Sequence, residues 1–376
     1  MEIYLDNAAT TRVCTEAADI AYKVMTDCYG NPSSTHTKGR DAKTYLDTAR
    51  AQIAAALGCS ASEVYFTSCG SESDVWAITR GAESAARRAR HIISSAVEHD
   101  AVRKTLEELE SRGFEVTYLS PEKDGSVSAD AVKAALREDT ILVTLMMVNN
   151  ETGGITDIAA IAKMLKGCGS KALLHTDAVQ GFMKVPFSAK KLGADMISIS
   201  GHKIHAPKGI GALYIKTGVK IKPLIRGGAQ EGGMRAGTEA MPQIAAFGKA
   251  AEIAFSGMKD NCDTMASLRA LAMSTICADI PEAQIIGGGA PHILSVSLPG
   301  WRSEVLMNFL EAEGIYVSRS SACKKGGRSH VLEAMRLPAQ VIDGAIRVSF
   351  SRYNTEDDVL ALCSALKRAH DTLAHR

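Results

Sequence analysis

Lys203 is the residue on which chemistry could be built. It follows the apolar run Ala194-Asp195-Met196-Ile197-Ser198-Ile199 and the turn Ser200-Gly201-His202, and it precedes Ile204-His205-Ala206-Pro207-Lys208-Gly209. A β-rich run that stops at Ser-Gly reads as a buried strand ending in a turn, which aims the lysine into a crevice. A lysine in a desolvated pocket loses part of its preference for the ammonium form, and the neutral amine can condense with an aldehyde. Taken alone, the residue reads more readily as one of many surface lysines.

Two further side chains complement an amine of that kind. Asp177, in His175-Thr176-Asp177-Ala178-Val179-Gln180, follows a strand pattern and can hold a pyridine nitrogen protonated. His99, in Glu98-His99 after another strand, can stack on an aromatic ring. Read singly, Asp177 is a turn or cap residue and His99 a hydrogen-bonded core histidine. A phosphate needs several hydrogen-bond donors, which a turn opening a helix supplies, and Gly70, Ser71, Ser200, His202 and Thr238 meet that need together. Neither G-x-G-x-x-G nor G-x-x-x-x-G-K-[ST] occurs, so dinucleotide and P-loop readings lose their main support. A phosphate on a smaller cofactor remains. An amine, an acid and a ring-stacking group are the parts that pyridoxal phosphate requires.

These residues need a frame. Helical and strand patterns alternate from residue 40 to residue 216, with strands expected at 64–67, 91–97, 115–119, 141–148, 172–175, 196–199 and 211–215. That alternation predicts an α/β fold, a mostly parallel sheet of seven strands with helices on both faces. Ligands in such sheets bind beyond the carboxyl ends of the strands. Gly70-Ser71, Glu98-His99, Asn149-Asn150-Glu151, Asp177 with Gln180, and Ser200 to Lys203 all fall at strand ends. Each cluster alone is ordinary turn chemistry, but their joint placement is hard to assign to chance.

Around that sheet, helices are expected near 16–26 and over 41–57, the second ending at Gly58 as its C-cap. Five glycines between Arg226 and Thr238 predict a flexible or close-approach loop, and a helix over 241–255 leads out of the sheet. Strands near 293–297, 315–317 and 346–350, with helices near 303–313 and 356–370, predict a smaller α+β domain. The expected division is a large domain over residues 15–255 and a small one from 1–14 and 256–376.

Composition narrows the function classes. The 376 residues carry 43 basic and 42 acidic side chains, a net charge of +1, which gives no general draw toward nucleic acid or an anionic membrane. The nine cysteines are scattered and form no C-x-x-C pair, so neither a disulfide frame nor a metal site is expected. With no apolar run of about 18 residues and no basic leader, the chain is read as cytoplasmic.

Ser-Gly-His-Lys-Ile with Pro-Lys-Gly-Ile-Gly, Glu-His after a strand, Val-Asn-Asn-Glu, His-x-Asp-Ala-x-Gln and Met-Arg-x-Gly-Thr together resemble the cysteine desulfurases of the NifS/IscS type, in the class V aminotransferase group. The likeness runs from Tyr4 to Ser349. It implies a fold-type I homodimer that binds pyridoxal 5'-phosphate, with Lys203 as the Schiff-base lysine, His99 stacked on the ring and Asp177 on the pyridine nitrogen. It further implies that Gln180 and Asn150 meet the ring hydroxyl or substrate, and that Gly70, Ser71, Ser200 and His202 take the phosphate, with Thr238 reaching it from the partner subunit. Arg347, assisted by Asn31, would bind the carboxylate of L-cysteine; an arginine in an ion pair reads equally well there.

Cys323 would accept the sulfur as a persulfide and pass it to an acceptor protein, for iron–sulfur cluster assembly or thiolation. It lies in the polar run Ser318-Arg319-Ser320-Ser321-Ala322-Cys323-Lys324-Lys325-Gly326-Gly327. The family keeps small residues on both sides of this cysteine, whereas two lysines follow it here, and their charge would favour the thiolate. His99 would donate a proton in the reaction. Selenocysteine or cystine lyase or aminotransferase chemistry on the same fold, and a catalytically idle sulfur-transfer partner, remain alternatives.

Overall fold

The computed structural model describes residues 2–86, 89–319 and 327–373. The chain enters with a short strand, β1 (Ile3–Tyr4), followed by a turn through Ala8 and Ala9. The central sheet follows: β2 (Val64–Thr67), β3 (His91–Ser95), β4 (Glu115–Leu119), β5 (Thr140–Met146), β6 (Leu173–Asp177), β7 (Met196–Ser200) and β8 (Gly211–Ile215). Their spatial order is β2-β8-β7-β6-β5-β3-β4. Strand β8 runs antiparallel to both neighbours, and the other four pairings are parallel. This is the mostly parallel seven-stranded sheet that the alternation predicts.

Strand alternation explains how the sheet is covered on both faces. Ile92, Leu142 and Met196 point to a core with Trp76, Ile78, Leu106 and Leu109 from the helices Gly70–Ala85 and Asp100–Ser111. Their chain neighbours Ile93, Val143 and Ile197 point to the opposite core, shared with Ile53, Ile161 and Phe247 from the helices Thr37–Leu57, Ile158–Gly167 and Met241–Ser256. The period of two thus feeds two hydrophobic layers from one run of apolar residues.

The remainder of the chain forms a four-stranded antiparallel sheet, in the order β12-β13-β10-β9, from β9 (Gln284–Ile286), β10 (Ile293–Ser297), β12 (Ser318–Arg319) and β13 (Ala345–Ser349). Strand β11 (Ile315–Tyr316) pairs instead with β1, in parallel. The core behind these strands gathers Leu268, Leu306, Leu310, Val348, Leu362 and Leu366, together with Ile3 and Leu5 from the far end of the chain.

Local chemistry sets the element ends. The helix Thr37–Leu57 starts four residues earlier than its apolar spacing suggests, because His36 Nδ1 accepts the Gly39 amide and caps it. It ends at Gly58, whose φ of 66° is the left-handed conformation expected of a C-cap. The helix Met258–Asp279 is absent from the elements read in the sequence. Its buried stripe, Met265, Leu268, Ala272 and Ile276, is about one residue per turn, too narrow to stand out among polar neighbours.

The glycine-rich stretch after Arg226 is pinned rather than loose. Glu231, at a left-handed φ of 48°, receives Arg50 through two contacts of 2.7 Å and the Phe66 amide at 2.9 Å. Arg235 reaches Glu72 in the first turn of the helix Gly70–Ala85 at 2.9 Å.

Candidate active site

The carboxyl ends of β2, β3, β5, β6 and β7 open on one cavity of about 640 Å³. It is lined by Gly70 and Ser71 after β2, His99 after β3, Asn150 after β5, Asp177 and Gln180 at the end of β6, and Ser200, His202 and Lys203 at the end of β7. Arg347 from β13 closes it from the smaller sheet. Ten of the residues singled out in the sequence therefore meet at one place.

Thr238 and Asn31 do not line it. Thr238 is exposed outside the lining, and Asn31 is exposed with its Oδ1 accepting the Ser33 amide at 2.9 Å. Cys323, Lys324 and Lys325 lie outside the described residues.

Lys203 sits in a short 3-10 turn, Gly201–Lys203, that continues β7. Its Nζ donates to the carbonyl oxygens of Ala8 at 2.6 Å and Ala9 at 2.7 Å. Burial pushes its amine down to about 8, Arg347 adds to the effect, and Asp6 and Asp177 oppose it. About a tenth of the amine is then neutral at pH 7, far more than for an ordinary lysine. His202 is driven down to about 4 by burial and by the charges of Lys203, Lys208 and Lys184, so it stands neutral, with Nδ1 3.2 Å from Thr10 Oγ1.

Asp177 is buried and accepts the Val179 amide at 2.8 Å through Oδ1. Burial raises its carboxyl, while His99, the Val179 amide and Lys203 pull it back. Asp74, one turn into the helix Gly70–Ala85, is buried at the same cavity, and burial together with Asp177 raises it well above the carboxylate range. Its Oδ1 has no hydrogen-bond partner and lies 3.6 Å from His175 Nε2. Beneath them Glu98 is pushed up to about 8 by burial, although Ser95 and the Met146 amide both donate to its Oε1. Asp74 and Asp177 thus put two carboxyl groups raised by burial on the cavity, which a protonated ring nitrogen would relieve.

At the other end, Ser200 Oγ is buried and unpartnered, and the helix Gly70–Ala85 begins at Cys69 without a side-chain cap. An anion fits where a free hydroxyl and an uncapped helix start meet. His99 caps the helix Asp100–Ser111, with Nδ1 accepting the Ala101 amide at 3.2 Å. In the neutral ring the proton therefore sits on Nε2.

Arg347 is 4% exposed; Nη1 donates to the Asn150 carbonyl and Nη2 to Asp6 Oδ1, both at 2.8 Å, and Nε has no partner. Both sequence readings of this residue meet here, since it is ion-paired and yet faces the cavity. Sequence reasoning passed over Asp74, Arg103 and His330, which also line the site, and gave the Glu151 carboxyl no role of its own. Asp74 was within reach, since it stands one helical turn beyond the Gly70-Ser71 start. Glu151, raised to about 7 by burial, is bonded by Ser329 from the segment that follows the Cys323 region.

A family model described as aminotransferase class-V matches residues 3–362, and the chain belongs to that family. Within it, the chain is 44% identical over 362 residues to a cysteine desulfurase of Trichormus azollae, covering 95% of this chain and 90% of that protein. It is 42% identical over 362 residues to the cysteine desulfurase IscS of Methanosarcina thermophila, covering 95% and 89%. Among solved structures, a NifS-like protein superposes with a TM-score of 0.94 at 38% identity, over 99% of this chain and 100% of that one.

Proposed function

We propose that the chain is a pyridoxal-phosphate-dependent cysteine desulfurase, which converts L-cysteine to L-alanine and transfers the sulfur to Cys323. The observation that carries this reading is the half-buried amine of Lys203, lowered to about 8, in one cavity with the buried carboxyl of Asp177. The desulfurase names of the relatives supply the substrate and the sulfur chemistry.

The cavity residues fit the cofactor. The free Ser200 hydroxyl and the helix start at Gly70 and Ser71 suit its phosphate, Asp177 suits its ring nitrogen, and Lys203 suits its aldehyde. When bound, pyridoxal phosphate accepts the electrons released at the substrate Cα. Lys203 would hold the cofactor aldehyde and, as a neutral amine, would take the Cα proton of the substrate. Asp177 would keep the ring nitrogen protonated, and His99, with its proton on Nε2, would lie against the ring and serve as proton donor. Arg347 orients the carboxylate through the N–H groups that Asp6 and Asn150 leave free. Cys323 thiolate attacks the substrate sulfur; an S–S bond forms as the Cβ–S bond breaks, the electron pair leaves with Cβ, and protonation there gives the methyl group of alanine. Gln180 and Asn150 face the ring hydroxyl and substrate.

The same reading has residues 15–255 as the cofactor domain, with 1–14 and 256–376 as the smaller domain. A second copy of the chain supplies Thr238 to the phosphate, and Asn31 assists at the substrate. Exposed Tyr22, Met25 and Tyr29 offer an apolar strip for such pairing. The enzyme works in the cytoplasm and hands sulfur to an acceptor protein; among the described residues no helix is long and apolar enough to cross a membrane. Incubation with L-cysteine followed by peptide mass spectrometry tests the proposal. The expected result is one added sulfur on the Cys323 peptide with stoichiometric alanine, and pyruvate in place of alanine would refute it.

A further inference from the structure

Behind the cavity, a hydrogen-bond chain fixes its own polarity. Lys203 Nζ and Gln180 Nε2 both donate to the carbonyl oxygen of Ala8, at 2.6 Å and 2.8 Å. A carbonyl only accepts, so the Gln180 atom beside it must be the NH2 group. The amide oxygen therefore points the other way, to His292 Nε2 at 3.3 Å, and that nitrogen must carry the proton. His292 is fully buried just before β10, in a part of the chain remote from Gln180.

We infer that His292 is a positioning residue: by donating to the Gln180 oxygen it locks the amide so that Gln180 presents a donor N–H, never an acceptor, to the cavity. The second hydrogen of that NH2 group is the one left for the cavity that Gln180 lines. Without the imidazole the orientation rests on the Ala8 carbonyl alone, and the amide turns over more readily to present its oxygen. The inference deepens the proposed function, because it rests on Gln180 facing the ring oxygen of the cofactor. A donor there favours the anionic state of that oxygen and disfavours a neutral hydroxyl.

The surroundings agree with a neutral imidazole. Burial holds His292 well below its usual range, and the charged groups that bear on it, Lys184, Arg347 and Lys203, are all basic. Its Nδ1 has no partner, as a lone pair facing no donor would not.

Two measurements test the inference. In cofactor-free protein labelled with 15N-histidine, His292 is expected to show a proton on Nε2 and a bare Nδ1, with no titration between about pH 5 and 9. A proton on Nδ1, or a titrating ring, would overturn it. In the loaded protein, His292→Leu is expected to raise the pH midpoint of the cofactor absorbance change by about one unit, and His292→Asn, which can still donate, to restore it. An unchanged midpoint in a folded His292→Leu would also overturn it. If His292→Leu does not fold, the nitrogen spectrum of the unmodified protein decides. Wild-type protein that binds no chromophore would sink the desulfurase reading instead, and the tautomer measurement would still judge His292.

Discussion

Arg347 donates from Nη2 to Asp6 Oδ1 at 2.8 Å, although 341 positions separate the two residues. The pair, with the Asn150 carbonyl on Nη1, holds the guanidinium plane and leaves Nε and one N–H on each terminal nitrogen for a ligand. Lysine cannot reproduce that fork. Arg347→Lys is therefore expected to raise KM for L-cysteine about a hundredfold with a smaller change in kcat, measured as alanine formed.

Lys203→Ala removes the amine that donates to the Ala8 carbonyl and lines the cavity with Asp177. Borohydride should then fix no chromophore to the peptide at position 203, and alanine formation should fall by at least about a thousandfold. A variant that turns over at the wild-type rate would remove Lys203 from the mechanism.

The sign of the Glu98 shift gives a stability prediction. Its folded carboxyl is raised to about 8 by burial, so between its ordinary range and 8 the folded state holds a proton that the unfolded chain has lost. Stability must fall as pH rises through that window and level off above it. Glu98→Gln keeps an oxygen for Ser95 and the Met146 amide and does not titrate. Compared with wild type, it should match at about pH 4.5 and gain progressively up to about pH 8 in denaturant melts.

Arg50 and Glu231 form a bidentate pair with the Glu231 carboxylate nearly fully buried, and the same carboxylate takes the Phe66 amide. Removing only the arginine strands a buried charge. Arg50→Met is expected to lower the unfolding free energy by about 3–5 kcal/mol, and the double variant Arg50→Met with Glu231→Leu should recover part of the loss, both read by chemical denaturation.

Cys323→Ala should retain cofactor absorbance and lose sulfur transfer. Sulfide released at the wild-type rate with a reductant present would end the acceptor assignment.

Much of the frame could be read in advance because apolar runs such as Ile141 to Met146 and Met196 to Ile199 leave few alternatives to a sheet covered on both faces. Most of the site was legible for a related reason. Strand ends of a parallel sheet share an edge, so polar residues at five ends had to converge. What escaped depends on distance in the chain. Nothing local marks Asp6 as the partner of Arg347, His292 as the partner of Gln180, or Glu231 as a residue to be buried. A helix with one apolar residue per turn, as in Met258–Asp279, looks polar until a second surface is set against it.

The pairing of β1 with β11 has a bearing on biosynthesis. Residues near the amino terminus leave the ribosome first, yet Ile3 must wait for Ile315, and Asp6 for Arg347, before either finds its place. The Ala8 carbonyl that receives Lys203 lies in this waiting segment. Maturation of the catalytic centre is therefore tied to release of the nearly finished polypeptide, and a nascent chain halted short of residue 347 should be unable to complete it.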